Sequence, residues 1–303
     1  MGSPFDVSAS STSTYRSCLD CADPTRADCR DGLCVLSQRY AEGSSWVASQ
    51  VSDVADLGGK EARVTFGCHV EETGMFLKQR TDGIMGLAMH KDGIVAALTA
   101  GEPGSGGGRA AFALCFTPTG GLMKIFPPPL FPEANKFGDK ADLRDMEGGY
   151  YSIAVTAVRL GGSALTGAAR TLAAFNRNNG VVLDSGTTDT YLPKAVKGDF
   201  EGAWRRETGW EHGNEPRAIG SEEFEMLPDL VFTFEGGGEM AISPSSYMDS
   251  TDNPFGVYTS RVYLEEPSGA ILGSNAFMYR EILFHGEEGR VGWRDVDDCY
   301  GGG

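Results

Sequence analysis

The 303-residue chain lacks any apolar run long enough to cross a membrane as a helix. Its start, Met1-Gly2-Ser3-Pro4-Phe5, has no apolar signal-peptide core, and Asp6 breaks the myristoylation pattern. None of its asparagines opens an Asn-x-Ser/Thr sequon, so the sequence is silent on N-glycosylation. Basic residues are scarce: 26 Lys and Arg stand against 42 Asp and Glu, a net charge of −16. That balance argues against nucleic acid and anionic membranes as partners, and its plain reading is a solvated, soluble surface. No Gly-Lys-Ser/Thr follows the glycine-rich stretch 101–108, which excludes a phosphate-binding loop of that type. His69, His90, His212 and His285 are scattered without metal spacing. Neither His-Glu-x-x-His nor Gly-x-Ser-x-Gly occurs, so zinc and serine hydrolase chemistry find no footing. No cofactor and no metal is expected.

What is present points to a mostly β protein of two lobes. Apolar residues make up 41% of the chain and glycine is frequent, at 42 residues. Short strand-like runs recur at 62–66, 111–116, 151–155, 230–234 and 281–284, and Glu235-Gly236-Gly237-Gly238-Glu239 reads as a hairpin turn. Helical patches are few: 93–98 and 194–206, the latter after Pro193. A lobe boundary is placed before Tyr150-Tyr151, giving residues 1–147 and 148–303. Cys18, Cys21, Cys29 and Cys34 fall in a stretch too polar to hold itself with a core. They suggest a disulfide-stapled segment in an oxidising compartment; the rival is a zinc knuckle, for which the Cys29-to-Cys34 spacing is loose. With Cys68, Cys115 and Cys299 the count is odd, so one thiol has no partner in this chain.

The most informative stretch is Val181-Val182-Leu183-Asp184-Ser185-Gly186-Thr187-Thr188. A strand delivers a carboxylate to a turn whose Gly186 permits close backbone approach, with Thr187 and Thr188 placed to hydrogen-bond the carboxylate and a bound backbone. Alone, Asp-Ser-Gly is an ordinary turn; its context gives it weight. Two apolar-apolar-Gly triplets, Ile84-Met85-Gly86 and Ile271-Leu272-Gly273, form a weak internal repeat. The span from Asp184 to Gly273, taken back from Gly86, falls before Met1. No counterpart of Leu183-Asp184-Ser185-Gly186 occurs in residues 1–150.

These motifs resemble the pepsin-like aspartic proteases over nearly the whole chain. The 182–188 segment is similar to that family's second active-site loop. Gln38-Arg39-Tyr40-Ala41-Glu42-Gly43-Ser44 resembles its flap, with Tyr40, Glu42, Gly43 and Ser44 as flap or substrate-binding residues. The triplets resemble those that brace the two catalytic loops. Leu227-Pro228-Asp229-Leu230 and Pro244-Ser245-Ser246-Tyr247 are typical of the nepenthesin and plasmepsin V branches, and Phe66-Gly67-Cys68-His69 leans toward plasmepsin V. The resemblance implies a bilobal β fold with a central cleft, Asp184 at its floor and Tyr40 above it. The first lobe is incomplete, because the first catalytic motif is absent and the match begins at Phe5.

By the same resemblance Cys18–Cys34 and Cys21–Cys29 form a nested pair, Cys115–Cys299 ties the first lobe to the end of the chain, and Cys68 stays unpaired. His285 stands where the family carries Asp, a change expected at the surface. The implied function is aspartic endopeptidase, or else a catalytically inactive homologue that binds peptides or proteins. The implied setting is a monomer in the secretory lumen or outside the cell, with a membrane anchor on a longer form left open. A peptide or protein would be the substrate. With only one catalytic aspartate, the chain as it stands is expected to be inactive.

Overall fold

The computed structural model describes residues 5–21, 27–40, 43–78, 81–90, 93–99, 111–118, 120–126, 137–144, 149–250, 254–286 and 288–300. The chain is mostly β and divides into two compact units, Met1–Arg109 and Ala110–Gly303. The division comes earlier than the boundary expected at 147. The reason is strand pairing: Ala111–Thr117 lies antiparallel to Arg280–His285, which commits it to the second unit.

The first unit is built on a long hairpin. Ser45–Leu57 pairs with Lys60–Thr73 through the Gly58-Gly59 turn, where φ is +63° and +85°. Two consecutive positive φ values suit a tight hairpin turn and favour glycine. On its other edge Ser45–Leu57 pairs with Leu33–Arg39, which pairs in turn with Ala27–Arg30. Cys34, Ala48 and Val51 are wholly buried here.

The pairing of the first four cysteines differs from the expected nest. The bonds are Cys18–Cys29 and Cys21–Cys34, with Cα separations of 5.4 and 5.6 Å. Cys29 and Cys34 lie directly opposite each other across the Ala27–Arg30/Leu33–Arg39 ladder. The segment carrying Cys18 and Cys21 runs beside that pair, with Ser17 bridged to Leu33 and the Cys18 amide donating to Gly32. Its path, not the spacing, decides which sulfur each one meets. All four sulfurs are taken up in these bonds, which leaves none for a zinc knuckle. Cys68 is the free cysteine among the described residues.

Among the described residues the second unit holds four sheets. One runs in the order 120–126, 111–117, 280–285, 290–295, 139–142 and packs Ala111, Ala113, Phe137 and Leu283 into a core, with Phe112 stacked on Phe284. Cys115 and Cys299 are bonded at a Cα separation of 5.7 Å. Both belong to the second unit, so this bond closes that unit rather than tying the first lobe to the end of the chain. The 194–206 helical patch appears as a short 3-10 turn and the helix Lys197–Thr208, which ends on Gly209 at φ +81°. Its Phe200, Ala203 and Trp204 are fully buried; each large side chain of this kind contributes about 2–3 kcal/mol of burial free energy.

His285 is 1% exposed, which corrects the expectation of a surface position. It ends the strand Arg280–His285, and its Nδ1 accepts a hydrogen bond from the Glu288 amide at 3.2 Å. The side chain thereby supplies an acceptor to the turn that leads into Arg290–Asp295.

Candidate active site

The Asp184 loop is held by a five-stranded sheet in the order 262–266, 190–193, 270–272, 181–183, 152–153. Val181–Leu183 runs parallel to Ala270–Leu272, and Thr190–Pro193 runs antiparallel to it on the other side. The turn 184–189 therefore straddles the strand that carries the second triplet. Val181, Val182 and Leu183 are all buried, as a central strand covered on both faces requires.

Hydrogen bonds clamp the loop onto the triplet. The Asp184 amide donates to Leu272 O at 3.0 Å, the Ser274 amide to Thr187 O at 2.7 Å, and the Asn275 amide to Thr188 O at 3.1 Å. Ser274 Oγ also donates to Thr188 O, at 3.2 Å, and Thr190 Oγ1 donates to Asn275 Oδ1 at 2.9 Å. Gly273 makes this contact possible: a Cβ there would meet the carbonyl oxygens of Asp189 and Thr187, the latter at 2.6 Å.

The carboxylate of Asp184 is oriented from both sides. Its Oδ1 accepts from the Gly186 amide at 2.9 Å, and its Oδ2 accepts from Thr187 Oγ1 at 2.7 Å. The Thr187 amide donates to Asp184 O at 3.2 Å and closes the turn. Asp184 and Ser185 are half-buried, while Gly186 and Thr188 are exposed. The carboxylate thus keeps a fixed direction on a turn that is partly open to solvent.

Gly273 belongs to this assembly as the bracing triplet implies; Asp189, Ser274 and Asn275 belong to it as well, and sequence reasoning does not reach them. Ser274-Asn275 directly follows the triplet, and that adjacency was the available signal. Asp189 is 8% exposed, and burial pushes its carboxyl above the ordinary range, opposed by Arg261 and reinforced by Asp249.

Tyr40, Gly43 and Ser44 lie in the first unit between the strands Leu33–Arg39 and Ser45–Leu57. The Tyr40 amide donates to Ser44 O at 2.9 Å, the Gly43 amide donates to Tyr40 O at 3.0 Å, and Gly43 has φ +95°. Trp46 Nε1 donates to Tyr40 Oη at 3.3 Å, and Phe76 lies 5.5 Å from the Tyr40 ring. Ser44 is buried and its Oγ accepts from the Met75 amide at 2.9 Å. Trp46 stacks on His69 at 5.0 Å, and His69 Nδ1 meets Glu72 at 2.6 Å. Glu42 lies outside the described residues.

The first triplet is placed differently from the second. Ile84 and Met85 are 60% and 42% exposed, and residues 84–86 belong to no strand among the described residues. No group of three or more His, Cys, Asp or Glu among the described residues is placed to hold a metal ion. No helix among them is long and apolar enough to cross a membrane.

Residues 150–295 match the family model described as xylanase inhibitor C-terminal. The chain is 23% identical to aspartic proteinase 39 of Arabidopsis thaliana over 96% of its own length and 64% of that protein. It is 24% identical to aspartic protease 5 of Toxoplasma gondii over 86% of this chain and 27% of the relative. It is 25% identical to plasmepsin V of Plasmodium falciparum over 48% of this chain and 26% of the relative. It thus spans less than two thirds of the length of each of these relatives. The model match covers the segment that carries the Asp184 loop and the Ile271-Leu272-Gly273 triplet, and with these relatives it makes the chain similar to the pepsin-like aspartic proteases.

Proposed function

We propose that this chain contributes one half of an aspartic endopeptidase site, with Asp184 as the second of the two catalytic aspartates. The observation that carries the reading is the fixed carboxylate: Gly186 N and Thr187 Oγ1 hold its two oxygens on a turn clamped over Gly273. In such a site two close carboxylates share one proton, because both cannot ionise together. The ionised member takes a proton from a water, whose oxygen attacks the peptide carbonyl. The protonated member gives its proton to the carbonyl oxygen. The tetrahedral intermediate then collapses as the amine nitrogen gains a proton and leaves. The pair titrates as a unit.

Asp184 alone cannot be base and acid in the same step, and these 303 residues contain a single Asp-Ser/Thr-Gly motif. The activity therefore needs a second aspartate loop, and the chain alone is inert toward peptides. Tyr40 positions substrate without moving a proton, and no cofactor takes part. The substrate is a peptide or protein. Three disulfides favour the secretory lumen or the outside of the cell.

A second reading has its own support. The matching family model is named for an inhibitor, which favours a non-catalytic homologue that binds a protein partner. A peptide-library hydrolysis assay, with and without pepstatin, separates the two. The chain joined to an upstream hydrophobic strand bearing Asp-Thr/Ser-Gly is expected to cleave at acidic pH with a bell-shaped profile. Asp184→Ala should abolish that cleavage with the fold intact. No cleavage by the joined, folded protein would favour the binding reading.

A further inference from the structure

Asp189 sits at the far end of the turn that carries Asp184, and no step of the proposed chemistry uses it. Its backbone is fixed: its carbonyl lies against Gly273, and the next residue, Thr190, donates its amide to Arg261 O at 3.0 Å. Its side chain is not fixed in the same way. Oδ1 is buried and has no hydrogen-bond partner among the described residues. Oδ2 lies 4.0 Å from Arg261 Nη1, beyond hydrogen-bond reach. Arg261 is already committed, since its Nε and Nη2 both donate to Asp249 Oδ2. The remaining titratable neighbour is Tyr191, whose hydroxyl is raised first by burial and then by Asp189. The groups facing Asp189 are thus one cation held by another carboxylate, that carboxylate, and a phenol.

A buried carboxyl in such surroundings is comfortable only without its charge. As an acid it presents a neutral O–H and a carbonyl oxygen. As an anion it leaves a buried oxygen unsolvated and must compete with Asp249 for Arg261. The backbone that would yield is the same turn that orients Asp184, through Thr187 and Thr188 on one side and Thr190 on the other.

We propose that Asp189 is a positioning residue for Asp184 that works as an uncharged carboxylic acid, seating the 184–190 turn on the Ile271-Leu272-Gly273 strand at acidic pH and loosening it on ionisation. The turn is then itself an acid-side switch, separate from the titration of the reacting carboxylates. Its importance for catalysis rests on the reading of Asp184 given above; its effect on the turn does not. The sign follows from linkage: burial raises the folded-state pKa above the ordinary value of 3.8, so the folded state holds its proton longer. The turn's stability is therefore full below that value and is lost as pH rises through the raised one.

The test is amide hydrogen exchange of the 303-residue chain, corrected for intrinsic rates, from about pH 4 to about pH 7. Protection of the amides of Asp184, Thr187, Ser274 and Asn275 is expected to fall at least about tenfold on that rise. Asp189→Asn, neutral throughout, should keep their protection flat. Because it retains Asp184, it also controls for that group's titration. A carboxyl-carbon NMR titration of Asp189 in the wild-type chain adds a reading that needs no variant. Protection that does not change with pH in the wild type, the same fall in Asp189→Asn, or an ordinary titration of Asp189 would each overturn the proposal. In the joined, two-aspartate protein, Asp189→Asn should move the alkaline limb of the pH–rate profile upward. An unmoved limb with the exchange result intact would confine the switch to the turn and refute its coupling to Asp184.

Discussion

Ile271-Leu272-Gly273 and Ile84-Met85-Gly86 are alike in sequence and unlike in setting. The second-half triplet lies between two strands, with Leu272 wholly buried and Gly273 under the carbonyls of the Asp184 turn. The first-half triplet is exposed at Ile84 and Met85, and a Cβ on Gly86 would meet nothing within 4 Å. An apolar triplet thus becomes a brace only where a strand–turn–strand unit wraps it. The backbone hydrogen bonds of the wrap, more than the side chains of the triplet, hold the aspartate in place.

Substitutions at matched positions would break or sharpen that contrast. The largest difference is expected at the glycines. Gly273→Ala forces a methyl group into two backbone carbonyls and should cost roughly 4 kcal/mol or prevent folding, whereas Gly86→Ala should stay within about 0.5 kcal/mol. Denaturant midpoints of the two variants read this directly, and equal midpoints would erase the contrast. Next come the apolar positions. Leu272→Ala should cost about 3 kcal/mol through its cavity, and Met85→Ala almost nothing.

Acid should act on one buried histidine of the second unit. Burial, with a smaller contribution from Lys197, pulls His212 down from 6.5 to about 4. It packs edge-on against Phe200 and Trp204, with its Nε2 2.9 Å from Ser260 Oγ. The unfolded state gains a proton at the ordinary value and the folded state does not. Stability is therefore present above about 6.5 and lost as pH falls to about 4, by an amount on the order of 2 kcal/mol. His212→Gln should flatten that part of the stability–pH curve. A variant as steep as the wild type would assign the acid sensitivity elsewhere. Asp189 acts with the opposite sign and on its own turn. Within the Asp184 turn a modest effect is expected from Thr187→Val, which removes the hydrogen bond to Asp184 Oδ2 and should cost about 1 kcal/mol.

Much of this arrangement was legible in the sequence because it is local. The Val181-to-Thr188 run, the Tyr40 hairpin, the helix after Pro193 and the Glu235–Glu239 turn each carry their own signal. The Cys115–Cys299 bond followed from the family resemblance. What escaped depends on how separate segments meet. Spacing alone could not show which of Cys29 and Cys34 the 18–21 segment would reach. His285 reads as a polar residue after an apolar strand, yet it is the last residue of that strand, paired with Ala111 on one side and Arg290 on the other. The lobe boundary moved because Ala111–Thr117 found its partner at Arg280–His285, far along the chain. Asp189 follows the motif without completing it, and its burial arises only when Thr190–Pro193 and Val262–Glu266 pair beside it.

Amide hydrogen exchange of the intact chain at acidic pH tests most directly whether the Asp184 turn is a formed half-site while the first triplet is not. The amides of Asp184, Thr187, Ser274 and Asn275 should be protected at least about 100-fold more strongly than those of Ile84, Met85 and Gly86. Equal protection of the two triplets, or free exchange across the Asp184 turn, would contradict it.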